Sequence, residues 1–186
     1  MDEKPLVTIV TPSYNQAAYI ETTIRSVLEQ DYPNIEYIIM DGGSDDGSVE
    51  LIKQYADRLA YWESVKDKGQ TDAINKGLSH AHGEILAWLN SDDVLYPHAV
   101  SEAVAYLTSH PECGLVYGNC DFINAEDKVI GHFNAKQTDY RKLRQGYVHI
   151  PQQAAFWRAD LWQQVGPLDD TIYFAMDYDL WVRLAK

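Results

Sequence analysis

The chain has 186 residues, 46% of them apolar and 23% charged, which suits one domain with a buried core and excludes a disordered polypeptide. The formal net charge of −13 disfavours a nucleic-acid partner, and it means that an anionic small ligand needs a cation between itself and the protein. No apolar run approaches the roughly 20 residues of a membrane helix, Met1-Asp2-Glu3-Lys4-Pro5 shows no secretory leader, and Cys113 and Cys120 match neither a disulfide framework nor a zinc knuckle, so both are expected as reduced thiols.

Leu6 to Thr11 is a β-branched run that stops at Pro12 and predicts a buried strand. Ile20, Ile24, Val27 and Leu28 follow at helical spacing, and the helix ends before Pro33. Ile35 to Met40 predicts a second strand, and Asp41-Gly42-Gly43-Ser44-Asp45-Asp46-Gly47 after it is all turn and cap chemistry. A helix from about Ser48 turns Val49, Ile52 and Tyr55 inward. Leu59 to Val65 reads as a third strand, Thr71 to His80 as a helix, Ile85 to Leu89 as a fourth strand, and a helix runs from beyond Pro97 to about His110. Strand and helix alternating in this way predict βαβ units and a mostly parallel sheet. Ligands of such sheets bind outside the carboxyl ends of the strands. Asn15, Asp41, Asp45, Asp92 and Asp93 are therefore expected to gather on one edge.

The pattern changes after His110. Leu115 to Tyr117 and Val129 to Phe133 read as strands with no clear helix between them, and Tyr147 to Trp157 reads as extended or mixed. Asp160 to Val165 reads as a short helix stopped by Gly166-Pro167. Tyr178 to Lys186 puts Leu180, Trp181 and Leu184 on one helical face with no stop signal, so the sequence is expected to be part of a longer protein.

Three strand-end segments carry candidate chemistry. In Asn90-Ser91-Asp92-Asp93 two adjacent carboxylates repel each other, and a hard divalent cation would compensate them; the other reading is an Asx turn capping the next helix. Asp41 to Gly47 is neither a GxGxxG fingerprint nor a P-loop; its first carboxylate either accepts from a base or ribose, or holds a capped loop. Thr11-Pro12-Ser13-Tyr14-Asn15 offers an aromatic ring for base stacking, or is an ordinary strand-to-helix turn.

These segments in this order resemble family 2 glycosyltransferases of the GT-A type. The family pattern opens with Thr-Pro-x-Tyr-Asn, as at Thr11 to Asn15, and continues with Asp-Asp/Gly-Gly-Ser, as at Asp41 to Gly47. A loop and helix like Asp67 to Gly77 follow, then a metal motif like Ser91-Asp92-Asp93, then an acidic motif before Leu-Trp, as at Asp177-Tyr178-Asp179-Leu180-Trp181. The resemblance implies a single GT-A, Rossmann-like domain over 1–186: a mostly parallel sheet flanked by helices, with a small mixed region on the acceptor side. Residues 1–95 would form the nucleotide-binding half and 96–186 the acceptor-binding half. It also implies an inverting, metal-dependent transfer of a sugar from a nucleotide diphosphate sugar, with uridine expected, to an acceptor hydroxyl in cell-surface polysaccharide or glycan synthesis. The acceptor would be a saccharide or lipid-linked saccharide, and the protein cytoplasmic or peripheral at the inner face of the membrane.

The resemblance assigns Asp93 to Mn²⁺ or Mg²⁺ and Asp177 to the base. Thr11, Pro12, Tyr14, Asn15, Asp41, Gly42, Asp67, Lys76 and Asp92 are assigned to the donor. Two positions depart from the pattern: Asn90 stands where many relatives have Asp, and Met176 where many have Glu. Lys76 could equally be a solvated helix lysine, Asp177 a plain N-cap, and Asp179 the base instead. His149, Gln152 and Gln153 lie where relatives shape the acceptor site, while Trp157, Trp162 and Trp181 suit core packing better than sugar stacking. A nucleotidyltransferase would need a glycine-rich basic loop after the first strand, and Pro12 to Ala18 contains neither glycine nor a basic residue. A catalytically dead binding module would not need Asp93 and Asp177.

Overall fold

The computed structural model describes residues 4–186. Four strands, β1 (Val7–Ser13), β2 (Ile35–Asp41), β3 (Tyr61–Ser64) and β4 (Ile85–Trp88), alternate with α1 (Ile20–Leu28), α2 (Ser48–Gln54) and α3 (Gln70–Ser79). After α4 (Ala99–Ser109) come β5 (Leu115–Tyr117), β6 (Cys120–Ile123), β7 (Val129–Phe133), α5 (Tyr140–Arg144), β8 (Ala155–Arg158), α6 (Ala159–Val165) and α7 (Met176–Leu184). The main sheet has the order β3-β2-β1-β4-β8-β5. Its first four strands are mutually parallel, β8 runs antiparallel to β4, and β5 antiparallel to β8. Strands β6 and β7 form a separate two-stranded ribbon. This is the expected mostly parallel sheet with a mixed region after it.

All seven residues of β1 are buried, as a central parallel strand covered on both faces requires. Helix α3 packs on β1 and β2. Its Gly77 permits the close approach, because a Cβ there would lie 2.3 Å from Val10 Cγ1. One apolar core runs from Val7 to Trp181 and includes Phe156 and Trp157 of β8 as well as Leu180 of α7. Trp88 stacks on Trp181 with centroids 5.8 Å apart, and Trp157 meets both rings edge-on. Trp157 and Trp181 are thus core residues, and Trp162 packs half-buried against them.

Strand β1 runs two residues past the expected stop, through Pro12. Its odd-numbered residues turn their backbone groups toward β2 and its even-numbered ones toward β4, as the bonds Gly42 N–H to Ser13 O (2.8 Å) and Leu89 N–H to Val10 O (2.9 Å) show. The β4 ladder ends at the Val10–Trp88 pair, so the N–H that Pro12 lacks would have had no strand to bond. Strand β6 and helix α5 are additions to the expected elements. Both are short, and α5 buries a single residue, Leu143, so neither writes a period into the sequence.

Candidate active site

The order of strands reverses beside β1, which is flanked by β2 and β4. The crevice at this switch point, beyond the carboxyl ends of β1 and β4, is where a doubly wound sheet binds its ligand. A cavity of about 750 Å³ opens there, lined by Pro12, Ser13, Tyr14, Gly42, Lys66, Asp67 and Asp92 among others. Tyr14 offers an exposed ring, while Ser13 Oγ is buried without a hydrogen-bond partner. The N-terminus of α3 enters the wall through Gly69, Gln70 and Ala73. The free N–H groups and positive dipole end of such a terminus favour an anion, and Lys66 adds a full charge.

The loops after β1 and β2 are stitched together. Backbone N–H groups of Asn15, Gln16 and Ala17 donate to Ser44 Oγ (2.8 Å), Ser48 Oγ (2.9 Å) and Asp46 Oδ2 (2.9 Å). Asp45 N–H returns a bond to Asn15 Oδ1 at 3.1 Å. Asp41, only 2% exposed, accepts from the N–H groups of Gly43 and Ser44 and from the hydroxyls of Ser44 and Ser64 at 2.5–3.0 Å. Its oxygens are bonded within the loop, and Asp41 is not among the residues that line the cavity. Asn15 is likewise spent on the stitch, in a left-handed conformation with φ 52°. Thr11 is fully buried and shares a hydrogen bond with the Tyr37 hydroxyl. Lys76 pairs with Asp72 at 2.8 Å, one turn back on α3. Of the donor residues expected, Pro12, Tyr14, Gly42, Asp67 and Asp92 line the cavity, and Thr11, Asn15, Asp41 and Lys76 do not. A Cβ at Gly42 would lie 2.9 Å from the Asp67 carboxylate, so a side chain there would displace Asp67 from its present position.

The turn Asn90 to Asp93 is built differently. Asp93 N–H bonds back to Asn90 O, and the Asp93 carboxylate accepts only from Asn90 Nδ2, at 3.1 Å. Burial and the neighbouring Asp92 charge push the Asp93 carboxyl up to about 6, against a smaller opposing effect of the Asn90 amide. The turn does not cap α4, whose first residue follows His98 with no side-chain cap. Asn90 is instead a junction: its Oδ1 accepts from Gln70 at 2.7 Å, and its Nδ2 also reaches Gln152 Oε1 at 3.2 Å. Gln152 in turn donates to the Trp88 carbonyl at 2.7 Å. Asp93 lines a second cavity, of about 530 Å³, with Tyr96, Tyr117, Cys120 and Gln153, so the acidic turn forms a wall between the two. Cys113 and Cys120 are free thiols. A half-buried carboxylate beside an exposed one, with no cationic side chain bonded to either, fits a hard divalent cation. Among the described residues no three His, Cys, Asp or Glu side chains cluster, so the protein would supply few ligands.

Asp177 sits in the first turn of α7, where the N–H of Tyr178 bonds to its Oδ1 at 2.8 Å. It lines neither cavity. Asp179, the alternative base, is held by Arg183 at 2.8 Å. His149 stacks on Tyr147 with centroids 5.6 Å apart, and Gln153 donates to Cys120 Sγ. Lys66, Gln70 and Ser13 are cavity residues that the sequence reading passed over. The position of Lys66 just before Asp67, at the end of the third strand, was the available signal.

The sequence model of glycosyl transferase family 2 matches residues 8–163. The chain belongs to this family. An uncharacterized glycosyltransferase of Mycobacterium tuberculosis is 32% identical over 188 residues, covering 100% of this chain and 71% of the relative. A Bacillus subtilis protein, TuaG, named for a role in teichuronic acid biosynthesis, is 43% identical over 93 residues, covering 48% of this chain and 37% of TuaG. Among solved structures, the mannosyltransferase PcManGT of Pyrobaculum calidifontis, in complex with GDP-Man and Mn²⁺, superposes with a TM-score of 0.75 at 25% identity. The match covers 99% of this chain and 53% of PcManGT, so the family 2 fold here spans about half of that structure. The sheet and its flanking helices are those of a GT-A glycosyltransferase. Among the described residues no helix is long and apolar enough to cross a membrane.

Proposed function

We propose that the protein transfers a sugar, with inversion, from a nucleoside diphosphate sugar to an acceptor hydroxyl in the synthesis of a cell-surface polysaccharide or glycan, working in the cytoplasm or at the inner face of the membrane. The observation that carries this reading is the cavity of about 750 Å³ at the sheet's switch point, walled by an aromatic ring, a lysine, a helix N-terminus and the acidic turn, which presents Asp92 to this cavity and Asp93 to the next. Tyr14 stacks on the base. Asp67 and Asp92 bond to the ribose, and Lys66 with the N-terminus of α3 holds the diphosphate. Asp93, with Asp92 beside it, holds Mn²⁺ or Mg²⁺, which when bound offsets the charge that builds on the leaving diphosphate.

Asp177 removes the proton of the acceptor hydroxyl. The hydroxyl oxygen forms the new bond at the anomeric carbon as the bond to the diphosphate breaks, and that electron pair leaves with the diphosphate. One displacement inverts the centre. Residues 1–95 serve the donor and 96–186 the acceptor, a saccharide or lipid-linked saccharide. TuaG's name supports the polysaccharide setting, and the ligands of PcManGT support a nucleotide sugar with a metal.

A thermal-shift panel of uridine, guanosine and thymidine diphosphates, each with and without Mn²⁺, tests the donor side. The expected result is the largest shift for uridine diphosphate with Mn²⁺, with either component alone doing less. A larger shift for guanosine diphosphate would assign the donor class of PcManGT instead. No shift with any nucleotide would overturn the reading.

A further inference from the structure

The most basic stretch of this acidic chain lies on the acceptor side. Residues 136–149 carry Lys136, Arg141, Lys142 and Arg144 against one carboxylate, a net +3 in a chain whose total is −13. The stretch is a closed loop. Lys136 N–H reaches the His149 carbonyl at 3.4 Å, and Tyr117 OH bonds to the Lys136 carbonyl at 3.1 Å. The loop's one carboxylate, Asp139, is used internally, accepting from Lys142 N–H at 2.9 Å as the N-cap of α5. None of the four cations forms an ion pair among the described residues, and all four are exposed. Leu143, 2% exposed, pins the loop to the core. Tyr147 and Val148 stand exposed at its end.

The loop is tied to the candidate site at both ends. The Tyr178 hydroxyl, one residue from Asp177, donates to the Leu143 carbonyl. On the other side the chain runs from His149 to Gln152, whose amide oxygen accepts from the Asn90 side chain of the acidic turn. The loop therefore links the helix that carries the proposed base to the segment bonded to the proposed metal turn, within the half of the chain proposed to serve the acceptor. Lys142 Nζ donates to the Gln137 carbonyl and Arg144 lies over the Tyr140 ring, contacts that leave the positive charge of the cluster unneutralised, and a neutral sugar would neutralise none of it.

We propose that the loop 136–149 receives negative charge on the acceptor, so that the acceptor is an anionic saccharide bearing phosphate or carboxylate groups. The inference deepens the transferase reading and rests on it for the word acceptor, but the anion site can be tested alone. The phosphate probe is tri(glycerol phosphate), the carboxylate probe is trigalacturonate, and maltotriose is the neutral control, with binding measured by calorimetry on the full chain. Either anionic probe is expected to bind at least about tenfold tighter than maltotriose and to weaken as salt rises from about 50 to about 300 mM. The probe that binds names the anion class. Arg141→Ser/Arg144→Ser should lose about tenfold, Arg141→Lys/Arg144→Lys should keep most of the affinity, and both should keep the thermal shift with nucleotide and Mn²⁺. Equal binding of maltotriose, or no loss in the serine variant, would overturn the proposal. So would loss of the nucleotide shift, which would place the arginines on the donor, or Arg-dependent binding to phosphatidylglycerol vesicles without binding of either saccharide. Anion binding in a protein that no nucleotide shifts would leave the site standing and remove the transferase reading.

Discussion

Two acidic turns sit at the same edge of the sheet, one after β2 and one after β4, and they treat their carboxylates in opposite ways. After β2, Asp41 is surrounded by two backbone N–H groups and two hydroxyls, and Asp46 accepts from Ser48 and Ala17. After β4, Asp93 has one amide donor and a like charge next door. Composition does not separate the two turns; the supply of donors does. A carboxylate whose lone pairs are filled from within the fold is part of the scaffold. One left short of donors at a cavity wall has its charge available for something that arrives.

This contrast is broken most directly at Asp41. Asp41→Ala leaves two backbone N–H groups and two hydroxyls without their acceptor, and should cost about 3–4 kcal/mol. Urea melts would read that loss, and a variant as stable as the parent would show that the hydrogen bonds of the β2 turn are not structural. Asp177, with a single N–H on its carboxylate, is also short of donors, although it lines neither cavity. Asp177→Asn should lower turnover by roughly a hundredfold while leaving nucleotide and metal affinity in place. Near-normal turnover would remove it as the base, and a matching loss in Asp179→Asn would transfer the role.

Asp93 sharpens the contrast through pH. Its carboxyl is raised from 3.8 to about 6, so the folded protein holds this proton more tightly than the unfolded chain. The penalty for ionising it is absent below the unfolded value, grows between pH 3.8 and about 6, and is complete above that. Without metal, Asp93→Asn should therefore be more stable than the parent at neutral pH, by on the order of 2–3 kcal/mol, with the advantage vanishing toward pH 4. The same variant should lose the Mn²⁺-dependent part of the nucleotide shift. Melting curves across pH with a chelator, then with Mn²⁺, read both effects. The smallest effect is expected at Gln152: Gln152→Ala removes one tether of Asn90 and should weaken metal-dependent nucleotide binding by about threefold, or under 1 kcal/mol. An Asn90→Asp variant, which restores the carboxylate of many relatives, should strengthen it.

The parallel strands were legible because β1 and β2 are apolar, β-branched runs closed by turn residues and because β3 and β4 alternate with helical stretches, and α1 because four apolar residues recur on one face; the order of the strands in the sheet was not. The site edge followed from the order of elements. The fate of individual polar residues was not legible. Whether Asp41 points at a ligand or is consumed by Ser44 and Ser64 depends on the neighbouring strand β3, which brings Ser64 from 23 positions away. Asn15 and Lys76 are alike in this: Asp45 and Asp72 bond to them, and a sequence does not show which polar groups will be bonded within the fold. Helix α5 escaped notice because its five residues hold three cations and one buried leucine, a pattern with no period. Yet those charges, read as a local excess in an acidic chain, were present in the sequence throughout.

The three core tryptophans give this enzyme an optical gauge of its own. Trp88 lies two residues before Asn90 and Trp181 four residues after Asp177, and their rings lie nearly parallel at 5.8 Å with Trp157 across both edges. Indoles this close couple electronically, so the near-ultraviolet dichroism and fluorescence of the folded protein report the seating of α7 against β4. Any step that slides the proposed base relative to the acidic turn changes the overlap of Trp88 and Trp181. Any shift of α7 against β4 can thus be followed in stopped flow without a label.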